Sequence, residues 1–327
     1  SETILNSLTV LEKVLLLRNE FINIRTDVYP TSSSKHIRLF ASTNIESAFL
    51  IHLGNSDTQI VSKCSNVCRL LCSEIQTLRH CIDESDNSIL VNFESYLQLA
   101  SSSLLSTGRQ AQQKSIRTIL KKVDHRTPGN FVAWDEICYR WNIYTQIVKY
   151  NEELALKKDE INNQSSSSSS KSKKKQQDQN LNLLVQTFGD LNNVSGLYKI
   201  LLEQKSSSDV LSEWNNYTGV LLSLNAVTTN ESSGRAIGAR QSKTELSSKP
   251  EAFLNELMDL LVSEYVSIRE TVKMMLGNAI SPSIYSILFK ILYTESKKRI
   301  FSIEDQSADF SNNSILFADQ VISIVKL

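Results

Sequence analysis

Apolar residues recur every three or four positions along almost the whole chain, and this helical period constrains the fold more than any other feature. Ile4, Leu8, Leu11 and Leu15 define one face of a first helix. Val14, Leu16 and Leu17 add a second apolar side, which predicts a helix sandwiched between neighbours. No segment shows the alternation of a half-buried strand. Turn residues are correspondingly scarce. Nine glycines and four prolines make about 4% of the 327 residues, where roughly 12% is ordinary, too few for a sandwich or barrel. The chain is read as all-α.

The pattern continues through Ile60, Val61, Cys64, Val67, Cys68 and Leu71, where Ser56 with Gln59 three residues later suggests a capping box and the helix is expected to reach Leu78. Further helices are predicted near 88–105 and 109–123. Thr127-Pro128 then places an N-cap residue before a proline at the first helical position, followed by Trp134, Ile137, Trp141, Tyr144 and Val148 on one face. From 159 to 180 the composition changes to six consecutive serines, a lysine run and Gln/Asp/Asn. Such a segment buries too little apolar surface to offset its ordering entropy and reads as a disordered loop. Residues 1–158 and 181–327 are the two helical parts, the second interrupted by a polar loop at 228–249. Val266-Ser267-Ile268-Arg269 leading through Val272, Met275 and Leu276 to Gly277 fits the second helix of a HEAT-type repeat. No strict period appears. The expected architecture is a HEAT/armadillo-like α-solenoid of stacked helical pairs with two polar loops, an irregular helical bundle being the alternative.

Charge narrows the partners. Lys and Arg number 35, and so do Asp and Glu, so the surplus expected of a nucleic-acid binder is missing. No stretch approaches the roughly 20 apolar residues that span a bilayer, which points to a soluble protein. Five cysteines are an odd number at low density, and a reducing, cytoplasmic compartment suits them better than a secreted one. The first residue is Ser1 and nothing resembles a signal peptide, so the chain is expected to be a piece of a larger protein.

Residue patterns that support reactive chemistry are scarce. Cys64, Cys68 and Cys72 share one helical face but spread over about 12 Å along the axis, which suits small buried hydrophobes rather than converging metal ligands. His80 and Cys81 are adjacent and would point about 100° apart on a helix, a poor base and nucleophile. No glycine-rich phosphate loop is present. No catalytic residue, cofactor or metal is therefore expected. Trp134 and Trp141 are expected in the core. Short basic runs occur at Lys121-Lys122 and at Lys297-Lys298-Arg299, and the latter run is the candidate contact patch for anionic lipid or an acidic partner. Ser242 after Arg240, and Ser302 after Arg299, are candidate phosphorylation sites; Phe301 and Ile303, which flank Ser302, are expected to be buried.

Thr107-Gly108-Arg109, Ala111, Gln113-Lys114, Leu120, His125, Gly129-Asn130, Ala133-Trp134 and Trp141 together resemble the segment preceding the catalytic domain in neurofibromin-type Ras GTPase-activating proteins. Glu213-Trp214, Asn216, Thr218-Gly219 and Leu222 resemble the next helix of that family. Phe253 to Leu261, Val272, Ser281-Pro282, Tyr285, Leu288-Phe289 and Gln320 to Ile324 resemble the helices beyond it, in the same order, so that the likeness covers residues 36–327. Residues 1–35 and both polar loops depart from the pattern. The Ser/Lys run and those loops point to a fungal member.

The resemblance implies a helical scaffold or regulatory segment flanking a separate domain that speeds GTP hydrolysis on Ras and so down-regulates Ras–cyclic AMP signalling. Its partners would be the rest of its parent chain, Ras through the activator domain, a second copy of the parent, and the membrane surface where Ras resides. The arginine-finger loop and the Phe-Leu-Arg signature of the catalytic domain have no match here, so no catalytic role carries over and the segment itself is expected not to be an enzyme.

Overall fold

The computed structural model describes residues 2–24, 35–78, 90–101, 108–164, 206–229, 250–301 and 311–327. These residues form helices and no strand. In chain order they are α1 Glu2–Ile24, α2 Lys35–His52, α3 Thr58–Leu78, a 3₁₀ turn Leu90–Asn92, α4 Phe93–Leu99, α5 Arg109–Leu120 and α6 Pro128–Gln164. Then come α7 Ser207–Leu224, α8 Ala226–Thr229, α9 Pro250–Leu260, α10 Val266–Asn278, a 3₁₀ turn Pro282–Ile284, α11 Tyr285–Ile300 and α12 Asn312–Lys326. The chain divides into two compact units. One contains residues 1–141 and 215–327, the other residues 142–214.

In the larger unit, α3 packs against α1, α2 and α4, and α4 packs against α5. Its near-continuous burial, from Ile60 and Val61 to Ile75 and Leu78, follows from having neighbours on several sides. Asp57 starts this helix: its carboxylate accepts from the Gln59 amide at 2.9 Å, while Asn55 accepts from the Asp57 amide at 2.8 Å. The cap is thus one residue later than the Ser56 capping box expected from sequence, because Asp57 directly precedes the first helical residue. At α6 the expectation holds. Asn130 donates its amide to Thr127 Oγ1 at 3.1 Å, and the Thr127 amide returns a bond to Asn130 Oδ1 at 2.9 Å, with Pro128 at the first helical position.

Farther along, α9 packs on α10 and α11, and α12 closes against α10 and α11. Trp134 and Trp141 of α6 are fully buried, as expected. Their indole N–H groups donate to Leu221 O at 3.4 Å and Thr218 Oγ1 at 2.8 Å, and both rings meet Phe253 edge-on. Gly219 lets Arg117 of α5 lie across α7; a Cβ there would come 3.2 Å from its Nε. In the smaller unit, Tyr144 donates to the buried Glu213 carboxylate and Trp214 donates to Thr145 Oγ1 at 2.8 Å, and Ile143, Ile147, Val148 and Val210 are buried.

Three local expectations are corrected. The outer side of α1 is not sandwiched: Val14, Leu16 and Leu17 are exposed, because α1 packs on α3 and buries Leu8, Leu15, Asn19 and Ile22 instead. The helix expected near 88–105 is shorter among the described residues, a 3₁₀ turn and then Phe93–Leu99, with Ala100 and Ser101 already outside it. Phe301 is 47% exposed, since it caps α11 in an extended conformation that leaves the buried helical register. The backbone of α6 remains helical to Gln164, within the segment read as a loop from 159. The rest of that loop, and nearly all of the loop at 228–249, lie outside the described residues.

Candidate functional site

Cys64, Cys68 and Cys72 line one buried side of α3, and Cys138 is buried in α6. Burial pushes the Cys64 and Cys138 thiols well above their ordinary range. For Cys68 a bond with Cys72 acts first and burial adds to it. Cys68 Sγ also donates to Tyr96 O at 3.3 Å. Protonated, enclosed thiols are poor nucleophiles, so the row behaves as small apolar side chains. His80 and Cys81 lie outside the described residues. Among the described residues no three His, Cys, Asp or Glu side chains converge as a metal would need.

Buried carboxylates are what sequence reasoning missed. Glu46 of α2 is wholly enclosed, and its Oε1 accepts from Tyr96 OH at 2.6 Å and Thr127 Oγ1 at 2.8 Å, so one carboxylate ties α2 to α4 and to the start of α6. Burial, and then the Glu46 charge, push the Tyr96 phenol well up, so it stays a donor. The only cue in the sequence is an acid within the Ile45–Phe49 stretch of an apolar helix.

Glu74 of α3 is also buried and pairs with Arg18 of α1 at 2.8 Å, its second oxygen unbonded. Burial raises its pKa above the ordinary 4.5, and Arg18 opposes that without cancelling it. The folded state therefore binds the proton more tightly than the unfolded chain. The contribution to stability is full below pH 4.5 and is lost as pH rises through the folded-state value. Glu74→Gln is expected to flatten this decline, making the variant gain on the parent from about pH 4 towards pH 7 in urea unfolding. Midpoints that run parallel across this range would show that burial does not control Glu74.

The patch expected at Lys297, Lys298 and Arg299 separates into two roles. Arg299 is an internal clamp. It pairs with Glu295 at 2.7 Å and with Asp259 of α9, lies 5.1 Å from the Phe317 ring of α12, and its carbonyl accepts from Ser314 Oγ at 2.7 Å. Burial lowers its pKa, but the bonds to Glu295 and Asp259 outweigh this and the net shift is upward. That position 299 falls on the side of α11 that meets α9 is not visible in the local sequence. Lys298 remains 67% exposed, 3.7 Å from Glu295. Lys297 sits over the Tyr293 ring at 4.8 Å. Beside them, Tyr285, Phe289 and Tyr293 form an exposed aromatic row at four-residue spacing, with Tyr285 and Phe289 edge to face. That spacing, one step off the buried Ile284, Leu288 and Leu292 row, was available as a signal.

Lys121 and Lys122 are used in packing, reaching Asn278 O at 2.5 Å and Gln98 Oε1 at 2.8 Å. Ser242 and Ser302 lie outside the described residues. No single described helix is long and apolar enough to cross a membrane. No protein-family model matches the chain.

Proposed function

We propose that this chain is a non-catalytic helical scaffold, a HEAT-like regulatory segment of a neurofibromin-type Ras GTPase-activating protein that positions the activator domain in the cytoplasm near membranes. The observation that supports a scaffold is the series of buried side-chain bonds between helices. Asn19 donates to Leu70 O at 2.8 Å, Gln113 to Leu53 O at 2.8 Å, and Ser223 to Ala279 O at 2.9 Å, alongside the Glu46 and Trp141 contacts. Directional bonds of this kind fix neighbouring helices against sliding, which suits a part whose work is to hold others in place. The Ras assignment rests on the sequence resemblance.

Single-turnover GTP hydrolysis on Ras tests it, comparing the chain alone, a neurofibromin-type activator domain alone, and the two joined. The chain alone is expected to be inert and the joined protein to differ from the isolated activator. Acceleration by the chain alone would overturn the non-catalytic reading, and identical rates for the joined and isolated activator would remove direct regulation.

A second reading, a module that binds anionic lipid or an acidic peptide, is favoured by the exposed Tyr285, Phe289 and Tyr293 row next to Lys297 and Lys298. It requires binding to anionic vesicles or acidic peptide that is lost in Lys297→Glu/Lys298→Glu.

A further inference from the structure

A cleft of about 630 Å³ opens between α1 and the starts of α3 and α5. The latter two helices begin differently. α3 starts on Asp57, whose carboxylate accepts from the Gln59 amide at 2.9 Å. α5 starts on Gly108, which has no side chain to cap with, and among the described residues the backbone amides of 109–111 donate to nothing. Neither strain nor crowding calls for glycine here. Its φ of −60° and ψ of 159° are ordinary for an N-cap residue, and a Cβ would meet no described atom within 4 Å. Open space therefore lies in front of a helix start that carries partial positive charge.

Gln112, one turn into α5, is an independent sign of a ligand. It is 4% exposed and lines the cleft, yet its side-chain amide makes no hydrogen bond to a described residue. An amide so enclosed is ordinarily paired. Charge at the cleft is also one-sided: Lys63 and Arg109 line it, and no described acid does. Lys63 is already engaged by Glu12, whereas Arg109 pairs with no described acid.

A guanidinium beside unbonded helix-start amides is a donor set for phosphate oxygens. The cleft falls within the size range of small-molecule sites and exceeds what one ion fills. Its remaining wall includes Asn6, Thr9, Gln59 and Ser62, whose side chains both donate and accept, as the hydroxyls of a sugar require. We infer that this cleft binds a small phosphorylated sugar or polyol, its phosphate held by Arg109, the α5 amides and Gln112, and its hydroxyls by α1 and α3. Neither the cleft nor its ligand depends on the Ras reading, and either can fail alone.

Isothermal titration of the full chain with glucose 6-phosphate, inorganic phosphate and glucose, each to about 5 mM, reads the outcome. Glucose 6-phosphate is expected to bind about tenfold more tightly than inorganic phosphate, and glucose not to bind. Gly108→Asp gives α5 the carboxylate that α3 already has. It should raise the urea midpoint of unfolding while weakening glucose 6-phosphate binding by about tenfold or more. Arg109→Gln, at an exposed position, should weaken binding about tenfold without moving the midpoint.

Absence of binding by both phosphate probes overturns the proposal. So does a Gly108→Asp chain that is more stable yet binds glucose 6-phosphate as the parent does, or undiminished binding by Arg109→Gln. Equal affinity for the two phosphate probes would overturn the ester and leave free phosphate as the ligand. Glucose binding as tightly as its 6-phosphate would overturn the phosphate contacts.

Discussion

Glu46→Ala is expected to lower the free energy of unfolding by about 2–6 kcal/mol, roughly 1–3 kcal/mol for each of two buried hydroxyls left without an acceptor. The carboxylate is wholly enclosed and accepts from both Tyr96 and Thr127, so its loss strands two buried hydroxyls from two other helices. It also leaves a void, because Glu46 lies directly against the first turn of α6. A Cβ built on Gly129 would overlap Glu46 Oε2 and come within 2.7 Å of the Glu46 Cβ. Gly129 is therefore glycine for reasons of space. Gly129→Ala should destabilise the protein by about 1–3 kcal/mol through overpacking at the same spot. Glu46→Gln should cost less than Glu46→Ala, since the amide oxygen still accepts. Urea unfolding of the three variants supplies the ranking, and a Glu46→Ala loss below about 1 kcal/mol would mean that the hydroxyls find other partners.

The helices were legible because their signal is local. Period, caps and scarce turn residues act within a few positions, and Thr127-Pro128 announced α6 through bonds that span only three residues. Burial on the far side of a helix is decided elsewhere. Val14 and Leu17 are as apolar as Leu15, yet only Leu15 meets α3, and no local pattern separates a face that packs from one left open. The shortened α4 and the exposed Phe301 share this origin. Each depends on where a helix stops, which sequence pattern places only to within a few positions.

Chemistry was legible where it depends on residue type and spacing, and illegible where it depends on neighbours distant in sequence. Three cysteines at four-residue intervals read correctly as small buried hydrophobes. Arg299 read as part of a basic patch, because its partners Asp259 and Phe317 are 40 residues before it and 18 after. Glu46 escapes notice for the same reason: Tyr96 and Thr127 are 50 and 81 residues away. A lone acid in an apolar helix carries no local mark of being enclosed, although its energetic weight exceeds that of any surface charge.

Trp141→Ala should produce a loss of about 3–5 kcal/mol, comparable to Glu46→Ala but of different origin. Trp141 is wholly buried, and its ring stands edge-on to Phe253 with centroids 5.0 Å apart, while its N–H donates to Thr218 at 2.8 Å. Truncation opens a cavity where α6, α7 and α9 meet, and the same Phe253 ring also supports Trp134. Trp141→Phe separates the two components. It keeps most of the apolar volume and forfeits the hydrogen bond, so its expected cost is about 1–2 kcal/mol. Pairing Trp141→Phe with Thr218→Val should be less than additive, because each change removes the same bond. Full additivity in urea unfolding would mean that the indole N–H contributes nothing and that Trp141 acts by packing alone. A small loss for Trp141→Ala would require the three helices to collapse into the space, at odds with their fixing by Trp134, Thr218 and Gly219 on either side.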